Sequence, residues 1–499
     1  MMKKILLISL MAIFLFSCSA NPDSNSKNNA DPTTESQADI ADDNENASEN
    51  IENEETEITA LDIIADLPDA DYGGYTFTIL TSNGAQGGEF EMRQAPEETE
   101  NGEPINDALF RRGRLIEDKY NINLNYIIEN DIANMLSMSQ KTIKSGDNAY
   151  DMIIGELLGV TRALAQSGGV HDFADFPNID LSKPWWNKNA IRDLTIDGKF
   201  FFPIGDITPR YILSPYFLMF NKTLFADYGL DFPYDKVLDG TWTIDEFYNL
   251  VKGQTRDLNS DGRLDGEDFY GMFNAGFSAY AMMKSCGESI ISTKDGNPYI
   301  SIGNERSIDI IEKITGLLVT NDIYYDTKYK PFDEYYIFSN GQALFVGQTA
   351  AILAMYRDME YDYGILPLPK YDLNQESYYS YAQPWDSVGL SVPKTNEDTE
   401  RSGMIIEALA AVGKYTSTPA QYEITLKTKF IRDEYSPKML DIICETATYD
   451  LGHIYNFGGC FDVLNNSFHR NQPFTSQLEK IMPKMQAEID KTIKTFSES

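Results

Sequence analysis

The sequence predicts an α/β protein built on mainly parallel sheet with helices on its faces. Two observations carry this. From Tyr75 to Gly155, short apolar runs of strand character alternate with segments of helical spacing, the pattern of parallel strands joined by crossover helices. From Tyr216 the pattern starts again, with a buried strand running into a short helix closed by Gly229.

Taken in order, "YTFTIL" (Tyr75 to Leu80) reads as a strand that ends in the polar loop "TSNGAQGG". "INDALFRRGRLIEDKYN" (Ile105 to Asn121) places Leu109, Leu115, Ile116 and Tyr120 at helical spacing. "INLNYII" reads as a strand, Ile132 to Lys144 as a helix and "YDMIIG" as a third strand. Ligands of such sheets bind beyond the carboxyl ends of strands, which here are the loops at Ser82–Asn83 and Gly155–Glu156. In the second unit, "YFLMF" (Tyr216 to Phe220) is a buried strand. "GTWTIDEFYNLVK" starts a helix, with Thr243 as N-cap, Glu246 three residues on, and Phe247, Leu250 and Val251 on one face. Trp242, just before the N-cap, is placed to staple against that helix. "FSNGQALFVGQTAAILAMYRDMEYDYGILPLPKYD" carries a helix start, a strand, another helix and then "YGILPLPK". Helices occupy most of the chain from Ser402 onward.

The head of the chain, "MMKKILLISLMAIFLFSCSA", has Lys3 and Lys4 and then an apolar run from Ile5 to Phe16, too short to span a bilayer and shaped like a signal peptide. Its end, "LFSC", resembles a bacterial lipobox. That resemblance implies cleavage before Cys18, which would carry lipid, palmitate included, on its sulfur and amine; several acyl chains exceed the single-chain limit for stable anchoring. From Ser19 to about Ala60 the chain holds 12 acidic residues and one Lys with almost no apolar ones. It cannot bury enough surface to offset its ordering entropy, and reads as a disordered tether with a reach of roughly 35–40 Å.

The full chain has 41 basic and 77 acidic residues. Losing Lys3 and Lys4 with the signal leaves about −38, of which the tether holds about −11 and the folded body about −27. Nucleic acid is thereby excluded as an expected partner, because phosphate binding needs concentrated Lys and Arg. The three histidines, His171, His453 and His469, are scattered, which argues against zinc or histidine chemistry. Beyond Cys18, the cysteines Cys286, Cys444 and Cys460 leave an odd thiol; a Cys444–Cys460 bridge stays open.

"DLNSDGRLDGED" (Asp257 to Asp268) has the spacing of an EF-hand-type calcium loop. Asp257, Asn259 and Asp261 fill positions 1, 3 and 5, and Gly262 the sharp turn. Arg263 offers its carbonyl at 7, Asp265 stands at 9 and Asp268 at 12. The alternative is a solvated acidic turn. A sensing EF-hand needs helices on both sides and a paired loop; here "FYGMFN" follows as strand or loop and no second copy exists. With Asp rather than Glu at position 12, the expected affinity is modest.

"FNKTLFADYGL", "TWTIDEF", "FSNGQALFVGQ", "DYGILPLPKYD" and "VGLSVPKT", in this order, resemble an extracellular solute-binding protein of an ATP-driven (ABC) importer, of the branch that captures sugars and oligosaccharides. The resemblance covers roughly Tyr72 to the C-terminus. It departs in length and in "TWTIDEF", which inserts residues relative to the commoner Thr-Trp-Asp-Glu-Phe. It implies a two-lobed type II fold, each lobe a mixed sheet flanked by helices, joined by crossing segments and closing like a hinge. On that basis residues 1–17 are the signal and 18–60 the lipidated tether. Residues 61–213 plus about 341–362, near Gly341 to Asp362, form the first lobe. Residues 214–340 plus about 363–499 form the second lobe and the helical C-terminus. The calcium loop becomes a structural staple in the second lobe.

Among the four tryptophans, Trp385 in "QPWDSVG" sits beside Asp386 in a Pro- and Gly-flanked loop, where an indole could meet the apolar face of a sugar ring and a carboxylate its hydroxyls. In "KPWWNKN", one of Trp185 and Trp186 is packing, and Trp186 is kept as a ligand candidate. "FPIGDITPRY" reads as the hinge strand; Asp206 would accept sugar hydroxyls, and Arg210 either joins the ligand or pairs with Asp206. Tyr211, Asn83 and Glu156 complete the candidate set. The expectation is therefore a lipid-anchored monomer at the extracytoplasmic face of the cell membrane, handing a sugar to ABC permease subunits, with no catalytic residue. A glycan-binding surface lipoprotein without a transporter and a carbohydrate-active hydrolase are the rival readings.

Overall fold

The computed structural model describes residues 58–84, 93–273, 278–294, 296–324, 333–470 and 472–498. The signal, Cys18 and nearly all of the tether lie outside the described residues. Residues 57–499 form one compact unit organised around two sheets.

The chain enters β1 (Tyr75–Thr81), crosses through the helix Pro104–Tyr120 to β2 (Ile122–Ile128), and through the helix Ile132–Ser145 to β3 (Met152–Glu156). Local chemistry sets these boundaries. Pro104 opens the first helix, and Asn121 ends it in the left-handed region at φ 50 with its N–H on Glu117 O. Asp131 caps the second through Asn134 N, and Gly146 closes it at φ 71. β1 pairs in parallel with both β2 and β3.

After Pro209–Leu213, a short 3-10 turn, the chain enters β4 (Tyr216–Asn221), in which all six residues are buried. There follow β5 (Tyr270–Phe273), a hairpin of β6 (Ile291–Lys294) and β7 (Asn297–Ile300), β8 (Ile323–Tyr324), β9 (Ala343–Thr349) and β10 (Tyr363–Leu366). β11 (Ser380–Tyr381) leads back toward β12 (Val388–Ser391), and β13 (Ala447–Thr448) pairs with β11.

The first sheet has the order β12-β3-β1-β2 and the second β10-β4-β9-β5-β8. Both are mixed: β12 is antiparallel to β3, and β4 is antiparallel to β9 and β10, whereas β5 runs parallel to β9. Each sheet with its helices is one lobe. The expected return to the first lobe at Gly341–Asp362 is corrected here, because β9 lies in the middle of the second sheet and the return is made by β12 instead. The C-terminal part is divided between the lobes: the helix Thr399–Lys414 packs against Pro104–Tyr120 of the first, whereas Ser436–Glu445 packs on β10 of the second.

Two of the segments that cross between lobes, residues 209–216 and about 380–388, bind each other: Gln383 N donates to Ser214 O at 2.9 Å, and Pro215 bridges to Ala382. The first is held from behind. Buried Arg112 donates from Nη1 to Ile207 O at 2.7 Å, and Gly413 lies so close that a Cβ there would come within 2.1 Å of Asp206 O. Among the described residues, no helix is long and apolar enough to cross a membrane. Cys286, Cys444 and Cys460 are free thiols, so the Cys444–Cys460 bridge does not form.

Candidate functional site

The carboxyl end of β3 places Glu156 beside β12, with Val388 its pairing partner. Just before β12, the turn Gln383–Ser387 is closed by Asp386 N and Ser387 N, both donating to Gln383 O at 3.1 Å. This turn presents Trp385 and Asp386. Arg210, on the 3-10 turn of the other crossing segment, reaches them: Nη2 donates to Trp385 O at 3.2 Å and stands 4.0 Å from Glu156 Oε1. Asp386 in turn accepts from Thr349 Oγ1 at 2.8 Å, and Thr349 is the carboxyl end of β9. One polar cluster therefore draws on the first sheet, both crossing segments and the second sheet.

Its electrostatics follow from burial around one cation. Burial pushes the Glu156 carboxyl up to about 7; Arg210 pulls it down and Asp386 pushes it further up. Asp386 is raised for the same first cause, opposed by Arg210 and by the Thr349 bond. Burial lowers the Arg210 guanidinium, with Asp386 and Glu156 acting against that. Glu156 Oε2 and Arg210 Nε are buried and have no partner in the protein. Such groups are costly unless something fills them. Trp385 is 45 % exposed, whereas Trp186 is 4 % and Trp242 fully buried, so its indole is the tryptophan face open to an incoming molecule at this cluster.

The remaining candidates separate from this group. Asp206 accepts from Tyr211 OH at 3.0 Å and Thr418 Oγ1 at 2.7 Å, with Lys414 Nζ 3.8 Å from its second oxygen; burial raises its carboxyl. Arg210 does not pair with it. Adjacent positions on a tight turn send Arg210 and Tyr211 into different clusters. Trp185 and Trp186 both donate their indole N–H to Glu407, at 2.9 and 3.0 Å, so Trp186 is a structural clamp, its polar edge and its ring both buried. Asn83 folds onto its own loop: Oδ1 accepts from Gln94 N and Ala95 N at 2.9 Å, and Nδ2 donates to Ala95 O. Tyr211 instead floors a groove of about 690 Å³, walled by residues 181–191 and Lys414 of the first lobe and by Asp441, Cys444 and Glu445 beyond. Asn189 Nδ2 spans its walls to Glu445 O at 3.1 Å.

Thr349, Glu407, Lys414 and Thr418 were not singled out from the sequence. Thr349 alone had a signal, as the last residue of "ALFVGQT" at a strand's carboxyl end.

The Asp257–Asp268 loop is tied at its neck by Arg256 and Phe269, whose N–H and carbonyl groups pair in both directions at 3.0 Å. Inside it, Asp257 accepts from Ser260 N and Gly262 N, Asn259 from Asp261 N, Asp261 from Arg263 N and Asp265 from Glu267 N. Gly262 adopts φ +79, as the turn requires. Asp268, 1 % exposed, accepts from Leu258 N and Asp265 N, both at 2.9 Å. The loop leads into β5, not a helix. Among the described residues no three His, Cys, Asp or Glu side chains are gathered to hold a metal ion; here the loop's carboxylates face its own N–H groups.

No sequence-family model matches the chain, and no curated protein sequence matches it. Solved structures do. A cyclo/maltodextrin-binding protein complexed with maltotetraose superposes with a TM-score of 0.57 at 13 % identity, over 83 % of this chain and 97 % of that one. A sugar transporter protein from Rhizobium etli in an open conformation gives 0.55 at 15 %, over 83 % and 100 %. An ABC substrate-binding protein from Listeria monocytogenes in complex with cycloalternan gives 0.50 at 15 %, over 84 % and 99 %. At these identities the likeness establishes the fold: the two-lobed α/β architecture expected from the sequence, found in binding proteins.

Proposed function

We propose that the chain is an extracytoplasmic binding protein that captures a sugar or oligosaccharide between its two lobes and delivers it, chemically unaltered, to an ABC permease. The observation that carries this reading is the single cluster of Glu156, Arg210, Trp385, Asp386 and Thr349, to which both sheets and both crossing segments contribute. Arg210 binds the turn that carries the exposed Trp385 indole, a face for the apolar side of a pyranose, and a Glu156 carboxylate oxygen and an Arg210 N–H of the same cluster lack protein partners. A ligand filling them would favour the lobe arrangement that completes the cluster, a population shift about the crossing segments. Micromolar affinity corresponds to about −8 kcal/mol, within reach of one or two stacked rings and a set of hydroxyl hydrogen bonds.

Trp385→Ala should lower affinity for the best ligand of a sugar panel at least tenfold with little change in melting temperature, since the indole is half exposed; unchanged affinity removes Trp385 from the site. A sugar panel also separates the rival enzyme: release of shorter saccharides on incubation would replace binding with hydrolysis.

The lipid on Cys18, with palmitate as one of its chains, the tether, attachment at the extracytoplasmic face and the monomeric state belong to the same reading and rest on the sequence. Calcium at Asp257–Asp268 is proposed likewise, on ligand spacing and on a turn frame that already orders the loop; binding requires its carboxylates to rotate inward. Extracellular loops of this kind work at 10⁻⁴–10⁻³ M calcium. A melt with millimolar calcium against chelator tests it, and an unshifted midpoint rejects it.

A further inference from the structure

We propose that Glu156 and Asp386, set about the guanidinium of Arg210, make the binding site at this cluster a charge filter that admits neutral saccharides and turns away anionic ones such as uronates. The inference rests on the saccharide reading above and adds the ligand's charge class to it.

Recognition of a carboxylate or sulfate calls for a cation whose charge is not already offset, and for planar anions that residue is typically arginine. Arg210 is the cation of this cluster, and two carboxylates already offset its charge. It is 4 % exposed, its Nη2 is committed to Trp385 O, Glu156 stands 4.0 Å away, and the charge of Asp386 acts on it as well. An anionic sugar would bring a third negative charge to one positive charge, in surroundings too buried for water to screen it. A neutral sugar meets no such opposition. With the lobes parted, its hydroxyls could donate to Glu156 Oε2, which is buried here without a protein donor, and accept from Arg210 Nε, which is buried without a protein acceptor. The body's charge of about −27 adds a repulsive field at longer range, weakened by salt. Glu156 is the adjustable member of the set. Asp386 is tied to Thr349, whereas Glu156 has a free oxygen, and replacing it by glutamine keeps the shape while removing the charge.

The test is calorimetric titration of the mature protein, at pH 8 where Glu156 is ionised. The probes are neutral oligosaccharides of the gluco, galacto and manno series and the uronate oligosaccharides of matching length. The wild type should bind a neutral member at least tenfold more tightly than its uronate counterpart, and Glu156→Gln should narrow that ratio at least tenfold. Asp386→Asn, which keeps an acceptor for Thr349, should narrow it as well. A wild type that prefers a uronate overturns the charge filter while leaving saccharide capture standing, and does so even if neither variant folds. Variants that fold and leave the ratio unchanged also overturn it. Binding of no saccharide of either class overturns the capture reading, and the filter with it.

Discussion

Glu407 receives the indole N–H groups of both Trp185 and Trp186, and burial raises its carboxyl to about 7 despite those two bonds. An unfolded glutamate titrates near 4.3. Between these values the folded protein holds a proton that the unfolded chain releases. The stability contributed is therefore full below the unfolded value and is lost as pH rises through about 7. Glu156 carries the same sign. Each of these two carboxyls should accordingly contribute less stability at pH 8 than at pH 5. Glu407→Gln removes the titrating group but sets an amide N–H against one of the two indole N–H groups, so it should melt below the wild type at pH 5 and lose less on the way to pH 8, by on the order of 1–2 kcal/mol. A variant as pH-sensitive as the wild type would show that this clamp does not titrate there. At this scale the sequence was legible where a residue sits at a strand end or in a Pro/Gly-flanked turn, as Glu156, Trp385 and Asp386 do. It was silent on partners hundreds of positions away: nothing near "KPWWNKN" points to Glu407, and nothing in "GDITPRY" says that Asp206 turns to Thr418 rather than Arg210.

Among the elements, the acidic loop shows how a motif can hold a segment together before any ion arrives. Asp268 is buried and satisfies two backbone N–H groups, so Asp268→Ala should cost about 1–3 kcal/mol by leaving them unpaired, measured as a lowered denaturant midpoint in chelator as well as in calcium. The loop lies before β5, and Gln342, just ahead of β9, donates to Gly266 O; this is the amino end of the second sheet, while Thr349 marks the end that faces the cluster. Asp268→Ala should therefore leave sugar affinity within about twofold. Helix and strand boundaries were readable because caps and periodicity are local. Thr243 caps its helix through Glu246 N, but the reciprocal bond of a capping box, from Thr243 N to the Glu246 carboxylate, is missing because that carboxylate goes to Lys236 at 2.6 Å. Trp242 packs edge-on to Phe247 as a staple should. The sheet assignment of β9 was not readable. All seven of its residues are buried, and a strand buried on both faces has no alternation to say which sheet it joins.

For the whole molecule, the two-lobed plan was legible through the order of several weak motifs, and the error lay in the crossings. A return strand is set by pairing partners far apart in sequence, and Val388–Ser391 against Ile153–Glu156 leaves no local trace. The free thiols give a global check. With Cys286, Cys444 and Cys460 unbridged, reducing agent should leave the melting temperature of the described body unchanged, and a drop of several degrees would reveal a bridge.

The groove lined by Tyr211 lies between Lys188–Leu194 and Ser436–Glu445, the latter packed on β10 of the second sheet, and Asn189 reaches across it to Glu445. Any rotation about the crossing segments must alter its width, so it is a lever placed away from the sugar. A bulky side chain at position 189 would wedge that gap and shift the resting angle between the lobes. Saccharide affinity would then change through geometry alone, and small-angle scattering of the unliganded protein would register the same displacement.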